Sequence, residues 1–226
     1  IFYHNGRFEM QGSDPTVFPK MPDRLDVQAF TLTSKVLRKG LSLFKFAAND
    51  ELRPVMSTVN LSCKNDVLAF AATSGHMLGM YEETDHNATD GIKVNIPWKI
   101  AKIVADLLQD DSEIAVIYDD RTIQFNVNGY SVRCRLFEGN YPNYRGVIPM
   151  NSSLAVKVHC ADLIAAINRV SIFADESTAL IKFELKGNNL ILTSQSLDYG
   201  KGAKEDLFLD EVYEDFEIGF KSSFIA

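Results

Sequence analysis

The sequence predicts an α+β fold built from copies of one domain, each with two helices packed on antiparallel sheets. Three observations lead there. Segments of the chain recur at a near-constant spacing of about 125 residues, long enough for each copy to be a whole domain. Within a copy the apolar periodicity runs helix, strands, helix, strands. Asn-Gly and Asn-Asp pairs separate alternating apolar runs, the signature of tight antiparallel hairpins.

The repeat is collinear. "NDVLAFAATS" from Asn65 matches "NNLILTSQS" from Asn188, 123 residues on. "NGRFEMQGSDPTVFP" from Asn5 matches "NGYSVRCRLFEGNYP" from Asn128 at the same offset, and "KVNIPWKIA" from Lys93 matches "EIGFKSSFIA" from Glu217. "FKFAANDE" parallels the later "VSIFADES". In this register residues 1–9 correspond to the last strand of a copy and 217–226 to the entry into a second helix. The expected organisation is therefore the tail of a first domain with a linker over 1–25, a complete central domain over 26–149, and a truncated third domain over 150–226. The chain reads as a fragment of a three-domain subunit.

The elements of the complete copy follow in order. Residues 31–47 read as a helix with Leu32, Val36, Gly40, Leu43 and Ala47 on one face, Leu37 and Phe44 beside them, and Thr31 or Thr33 as N-cap. Residues 55–62, 66–73 and 78–83 read as strands, the first two joined by a turn at Asn65-Asp66. Residues 91–96 form another strand. Pro97 opens a second helix over 97–109, where its missing N–H costs nothing; Ile100, Ile103, Val104 and Leu107 make its apolar face. Strands follow at 113–118, 121–128 and 130–137, then the loop "EGNYPNYRGVIP".

Composition is that of an ordinary globular chain, 46% hydrophobic and 23% charged. No apolar run is long enough to span a membrane, and the N-terminal "IFYHNGRFEM" is not built like a signal peptide. Cys63, Cys134 and Cys160 are widely spaced, which fits buried reduced thiols in a cytoplasmic protein better than disulfides or a zinc site. The net charge of -7 argues in bulk against nucleic acid, but the signs are segregated. Residues 31–47 hold four basic residues and no acidic one; residues 205–217 hold seven acidic residues and no basic one. Surface helices usually interleave signs, so an all-positive face suggests an anionic partner. The acidic run reads as a solvated edge.

No phosphate-binding, zinc-protease or nucleophile-elbow motif is present. Ser74 and His76 in "AATSGHMLGMYE" could be read as nucleophile and base, the hydrolase alternative, but no acid is placed to orient the histidine. His4, His86 and His159 are scattered. A peptide-binding adaptor unrelated to DNA is the other alternative. No catalytic residue, metal or cofactor is expected.

"ELRPVMSTVNLSCKNDVLAFAATSGHMLGMYE", "FEGNYPNYRGVIP" and "NRVSIFADESTALIKFELKGNNLILTSQSLDYGKGAKEDL" together resemble the bacterial DNA polymerase III β subunit family, the sliding clamps. The resemblance covers the whole chain and implies repeated DNA-clamp domains, three per subunit, two subunits closing a ring around double-stranded DNA. The family is non-catalytic. It confers processivity and docks short linear motifs from the replicative polymerase α subunit, the clamp loader, other polymerases, and mismatch-repair or ligase proteins. A fragment is expected to leave the ring open, and only the full-length homodimer to close it.

Residue by residue, the resemblance implies DNA-facing roles for Lys35, Arg38, Lys39, Lys45, Arg53, Lys99, Lys102 and Arg169. Such cations meet phosphates without base readout. Beside Arg53, Asp50 and Glu51 make a poor phosphate surface. The implied peptide pocket, between the second and third domains, takes Met56, Thr73, Gly75, His76, Met77 and Leu78, then Pro142, Gly146 and Val147, with Thr178 from the third domain. Met77 and Gly146 stand where relatives often carry arginine, so the pocket is expected to be more apolar. His76 is expected to shape or polarise its wall.

Overall fold

A computed structural model describes residues 1–18, 27–49, 52–196 and 199–225. Asp50, Glu51 and much of the predicted linker lie outside the described residues. The chain opens with a short hairpin, β1 (Phe2–Tyr3) and β2 (Gly6–Arg7). The segment expected to be a single last strand therefore holds both strands of a turn.

Next come β3 (Gln28–Thr33), α1 (Ser34–Leu41), β4 (Thr58–Lys64), β5 (Val67–Thr73) and β6 (Leu78–Glu83). They are followed by β7 (Lys93–Pro97), α2 (Trp98–Leu107), β8 (Glu113–Tyr118), β9 (Thr122–Val127) and β10 (Tyr130–Arg135). Each half is thus strand, helix, three strands. The leading strands are exchanged: β3 pairs with β8, and β7 pairs with β4. Two antiparallel sheets result, ordered β10-β9-β8-β3 and β6-β5-β4-β7. Asn65 and Asp66 adopt φ of 53° and 57°, and Asn128 and Gly129 adopt 48° and 79°. These positive values are what two-residue hairpin turns require, and they explain why Asn, Asp and Gly stand there.

Several boundaries move. The helix read over 31–47 starts only at Ser34, because Phe30 and Leu32 alternate into the sheet as buried residues of β3. Thr33 is the N-cap, its hydroxyl accepting from the Val36 amide at 3.3 Å. The helix tightens to a 3-10 turn at Ser42–Phe46, which breaks the helical stripe, while Val36, Leu43, Phe44 and Ala47 still pack partly buried on the core. Its buried face is Ser34, Leu37, Gly40 and Leu41. Residues 54–57 are a 3-10 turn rather than strand. Pro97 caps α2 from outside instead of opening it. On α2 Val104 is buried with Ala101 and Ala105, Ile100 and Leu107 pack partly buried on the same core, and of the predicted face only Ile103, a 100° step from Val104, points out at 48% exposure.

Both helices and both sheets bury one core, including Leu37, Leu41, Leu61, Phe70, Ile96, Val104, Val116, Ile123 and Phe125. Gly40 permits the closest approach. A Cβ there would sit 2.4 Å from the Phe70 ring, so α1 lies directly on β5.

After a 3-10 turn at Tyr144–Val147 come α3 (Cys160–Ser171), β11 (Leu180–Ser196) and β12 (Lys201–Lys221). They bury a second core of Ala166, Ile167, Val170, Ile181, Leu185, Leu190, Leu192 and Leu209. The expected helix entry over 217–226 is β12 to Lys221 and then one 3-10 turn at Ser222–Phe224. The acidic run lies along β12, mostly exposed, with Glu217 paired to Lys182 at 2.7 Å. Of the cysteines, Cys63 is buried, Cys134 half-buried and Cys160 exposed, so the expectation of three buried thiols fails at the start of α3. No helix among the described residues is long and apolar enough to cross a membrane.

Candidate functional site

The turn between β5 and β6 is locked by its own hydroxyls. Thr73 Oγ1 donates to the Met77 carbonyl at 2.7 Å and accepts from the Gly75 amide at 3.0 Å. The Ser74 amide also reaches the Met77 carbonyl, and Ser74 Oγ accepts from the Met77 amide at 3.4 Å. Gly75 holds φ of +90°, where any side chain is strained. A Cβ on it would stand 3.4 Å from Arg53 Nη1 and 3.6 Å from Met56 Cε. Met56 and Arg53 therefore flank this turn. The Ser74 hydroxyl serves the turn, and among the described residues no hydrogen bond joins it to His76. The nucleophile-and-base reading lacks its geometry.

A second wall stands behind Leu78. Ala71, Tyr141 and Tyr144 form a small buried cluster against which Val55 and Leu78 pack. The two tyrosine rings meet edge to face at 6.3 Å. The Tyr141 hydroxyl accepts from the Thr73 amide at 3.0 Å, tying the 137–147 loop to the 73–78 turn. Arg145 is ion-paired with Glu82 on β6. At the root of the loop, the buried Asn60 amide donates to Asn95 Oδ1 at 2.9 Å, and the Asn95 amide donates to the Phe137 and Gly139 carbonyls. With its root and middle held, the loop presents Pro142, Gly146 and Val147 to solvent, Val147 at 72% exposure.

Burial pushes the Tyr141 phenol up to about 12, outweighing the Thr73 amide, which favours the anion. The folded state thus resists an ionisation that the unfolded chain accepts near pH 10. The stability from Tyr141 is whole below pH 10 and is lost as pH rises through 12. Tyr141→Phe is expected to flatten part of that loss, read by urea titrations on either side of pH 10. Tyr81, also pushed to about 12 by burial, supplies another part.

The third side comes from beyond α3. The His76 ring stacks on Phe224 with centroids 5.5 Å apart and planes 14° from parallel, and Lys221 Nζ lies over the same Phe224 ring at 5.7 Å. Thr178 is exposed, its amide and hydroxyl both donating to Asp175 Oδ1. Hydrogen bonds from the Ser177 hydroxyl and the Thr178 amide hold the Asp175 carboxyl below its usual range. The next carbonyl, of Ala179, accepts from the Ser222 amide at 2.8 Å, which fixes the turn carrying Phe224. Phe224 and Lys221 were not anticipated from sequence; the repeat match placed them only at a helix entry.

The predicted DNA-facing cations divide into groups. Lys35, Arg38, Lys39 and Lys45 are exposed on α1 and the turn after it, and Lys99 and Lys102 are exposed on α2. Lys35, Arg38 and Lys39 line a cleft of about 660 Å³ with Tyr81, Leu108, Asp110 and Asp111. Acids that close in sequence to α2 dilute this face, which the helix sequence alone did not reveal. Arg169 is held by both carboxylate oxygens of Glu205, its Nε at 3.0 Å, so much of its charge is answered within the chain. Arg53 sits beside Gly75 of the 73–78 turn. No cluster of three or more His, Cys, Asp or Glu able to hold a metal occurs among the described residues.

Comparison with known proteins gives concordant matches. Residues 31–143 match the family model of the DNA polymerase III beta subunit, central domain, and residues 145–226 match that of the C-terminal domain. The beta sliding clamp of Synechocystis sp. is 29% identical over all of this chain, and that of Synechococcus elongatus 28% over 98% of it. The chain spans 62% and 61% of those two relatives. Among solved structures, the DnaN sliding clamp of Bartonella birtlesii, bound to griselimycin, superposes with a TM-score of 0.85 at 25% identity, over 93% of this chain and 58% of that one. The DNA polymerase sliding clamp of Bacillus subtilis gives 0.83 at 22%, over 92% of this chain and 56% of that one, a likeness of fold.

Proposed function

Because this chain belongs to the DNA polymerase III beta subunit family, we propose that it serves as a sliding clamp: a non-catalytic processivity factor that encircles duplex DNA as a ring homodimer and docks partner proteins through short linear motifs. The observation that carries the reading is the tandem match of two consecutive domain models over 31–143 and 145–226. Two features of the molecule support it. The helices present Lys35, Arg38, Lys39, Lys99 and Lys102 as exposed cations, suited to phosphates of any sequence. Leu78 and Val55 pack on the cluster of Ala71, Tyr141 and Tyr144, and His76 of the same turn stacks on Phe224, apolar and aromatic side chains of the kind that suit a Leu or Phe anchor of a peptide. The proposed partners are the replicative polymerase, the clamp loader and repair proteins, at a cytoplasmic location. The domain limits proposed are 26–149 for the central unit and 150 onward for the next.

The test is topological. The full-length subunit that carries this sequence, loaded on a DNA circle, is expected to stay until the circle is cut and then to run off the ends. Equal retention on circular and linear DNA would overturn the reading. Lys35, Arg38 and Lys39 changed to Gln are expected to weaken DNA binding alike on unrelated sequences. Each lost phosphate contact should reduce the slope of log affinity against log salt by about 0.9.

A further inference from the structure

Period-two alternation divides β4, β5 and β7 between two faces. Val59, Leu61, Leu68, Phe70, Val94 and Ile96 turn to the core under α1 and α2. Asn60, Ser62, Lys64, Ala69 and Lys93 turn the other way and line a cleft of about 900 Å³, whose further wall is residues 141–145 of the loop. The loop is fastened over this face. Arg145 pairs with Glu82, the Asn95 amide donates to the Gly139 carbonyl at 2.9 Å, and Lys93 Nζ donates to Asn140 Oδ1 at 3.4 Å. The single acid lining the cleft among the described residues, Glu82, is therefore taken by Arg145. Lys64 and Lys93 are exposed and have no carboxylate within ion-pair distance among the described residues, whereas Lys182, Lys186 and Lys204 of the β11–β12 hairpin each have one. Ser62 is the cross-strand partner of Lys93, so Lys64, two residues further along the same face, is the diagonal neighbour of Lys93. Two ammoniums so placed repel each other. They stand on the sheet face turned away from α1 and α2, so DNA bound along the helices does not answer them.

We propose that this cleft is a binding site for a small phosphate monoester, one phosphate on an apolar body. A phosphate monoester carries a charge of about −1.5 to −2 at pH 7, which matches two unanswered ammoniums and relieves their repulsion. Its three terminal oxygens can accept from Lys64, from Lys93 and from the half-buried Ser62 hydroxyl between them. A carboxylate brings one charge and leaves one ammonium unanswered. Val67, Ala69, Tyr141 and Tyr144 offer the apolar body its surface, and the volume is that of a small-molecule site. Because both lysines are exposed, each contributes as an exposed ion pair, about fivefold in affinity at low salt and less as salt rises.

Phenyl phosphate, phenylacetate and benzyl alcohol test it, each titrated at low salt into the isotope-labelled 226-residue chain and followed by the backbone amide resonances. Phenyl phosphate is expected to shift the amides of β4, β7 and residues 141–145, and to bind about fivefold tighter than phenylacetate. Lys64→Gln and Lys93→Gln should each weaken it by about fivefold, with thermal midpoints unchanged, and the double variant should hold it no better than benzyl alcohol. Absence of shifts in β4 and β7 at millimolar phenyl phosphate, equal affinity for phenylacetate, or undiminished affinity in the double variant would each overturn the proposal. So would shifts confined to α1 and α2, which would mean that the probe meets only the cations proposed to face DNA.

Discussion

Leu78→Asp is expected to weaken binding of a labelled Leu-Phe peptide on the order of 100-fold, the scale of losing a central hot-spot contact. Leu78 opens β6 directly after the Thr73–Met77 turn and packs on the buried cluster of Ala71, Tyr141 and Tyr144. An ionised carboxylate there would face apolar neighbours, deprive the anchor of its partner, and resist desolvation as the peptide arrives. The change also touches the small core beneath, so a second variant separates docking from folding. Val147→Asp alters a residue that is 72% exposed, and it should weaken the peptide while leaving the thermal midpoint nearly unchanged. Fluorescence anisotropy reads the binding and a melting curve reads the fold. Wild-type affinity in both variants would show that the peptide docks elsewhere.

Phe70→Ala is expected to cost about 3–5 kcal/mol of stability, read as a lower midpoint in urea with little change in slope. Phe70 is fully buried on β5, stacked at 6.3 Å on Tyr81, with Gly40 of α1 against its ring. Removing the ring opens a cavity between helix and sheet that glycine cannot fill. Gly40→Ala tests the same contact from the other side. Helix propensity alone would favour alanine by about 1 kcal/mol. Here its Cβ would press on the ring at 2.4 Å, so a net loss of about 1–3 kcal/mol is expected instead. Combining Gly40→Ala with Phe70→Leu should recover part of it, because the smaller side chain gives way. Simple additivity of the two losses would mean that the contact is not shared.

Much of the fold was legible because its signals are local. The turns at Asn65-Asp66 and Asn128-Gly129 were readable from residue type alone, since positive φ is a demand of the backbone itself. The strand Leu78–Glu83 and the second helix were readable from their periodicity. β3 was missed because Thr31, Leu32 and Thr33 can be drawn equally well as the first turn of the helix that follows. Only pairing with β8 distinguishes the two. Of the candidate site, the 73–78 turn and the 141–147 loop were named from motif residues, and the structure ties the two together through Tyr141 and Thr73. The site was illegible at Phe224 and Lys221, which are remote in sequence and carry no motif of their own.

By itself, then, the sequence determined the repeat, the hairpins and the segregation of charge, all properties carried by residue type and by patterns within short segments. The tertiary structure decided the exchange of β3 and β7 between sheets, the Tyr141 tie to Thr73, the capture of Arg169 by Glu205, and the place of His76. Each joins groups far apart along the chain. Such contacts form only when burial of the two cores has set the distances, and no local preference encodes them. His76, which the sequence set beside Ser74 as a possible base, stands in the folded molecule stacked on the Phe224 ring.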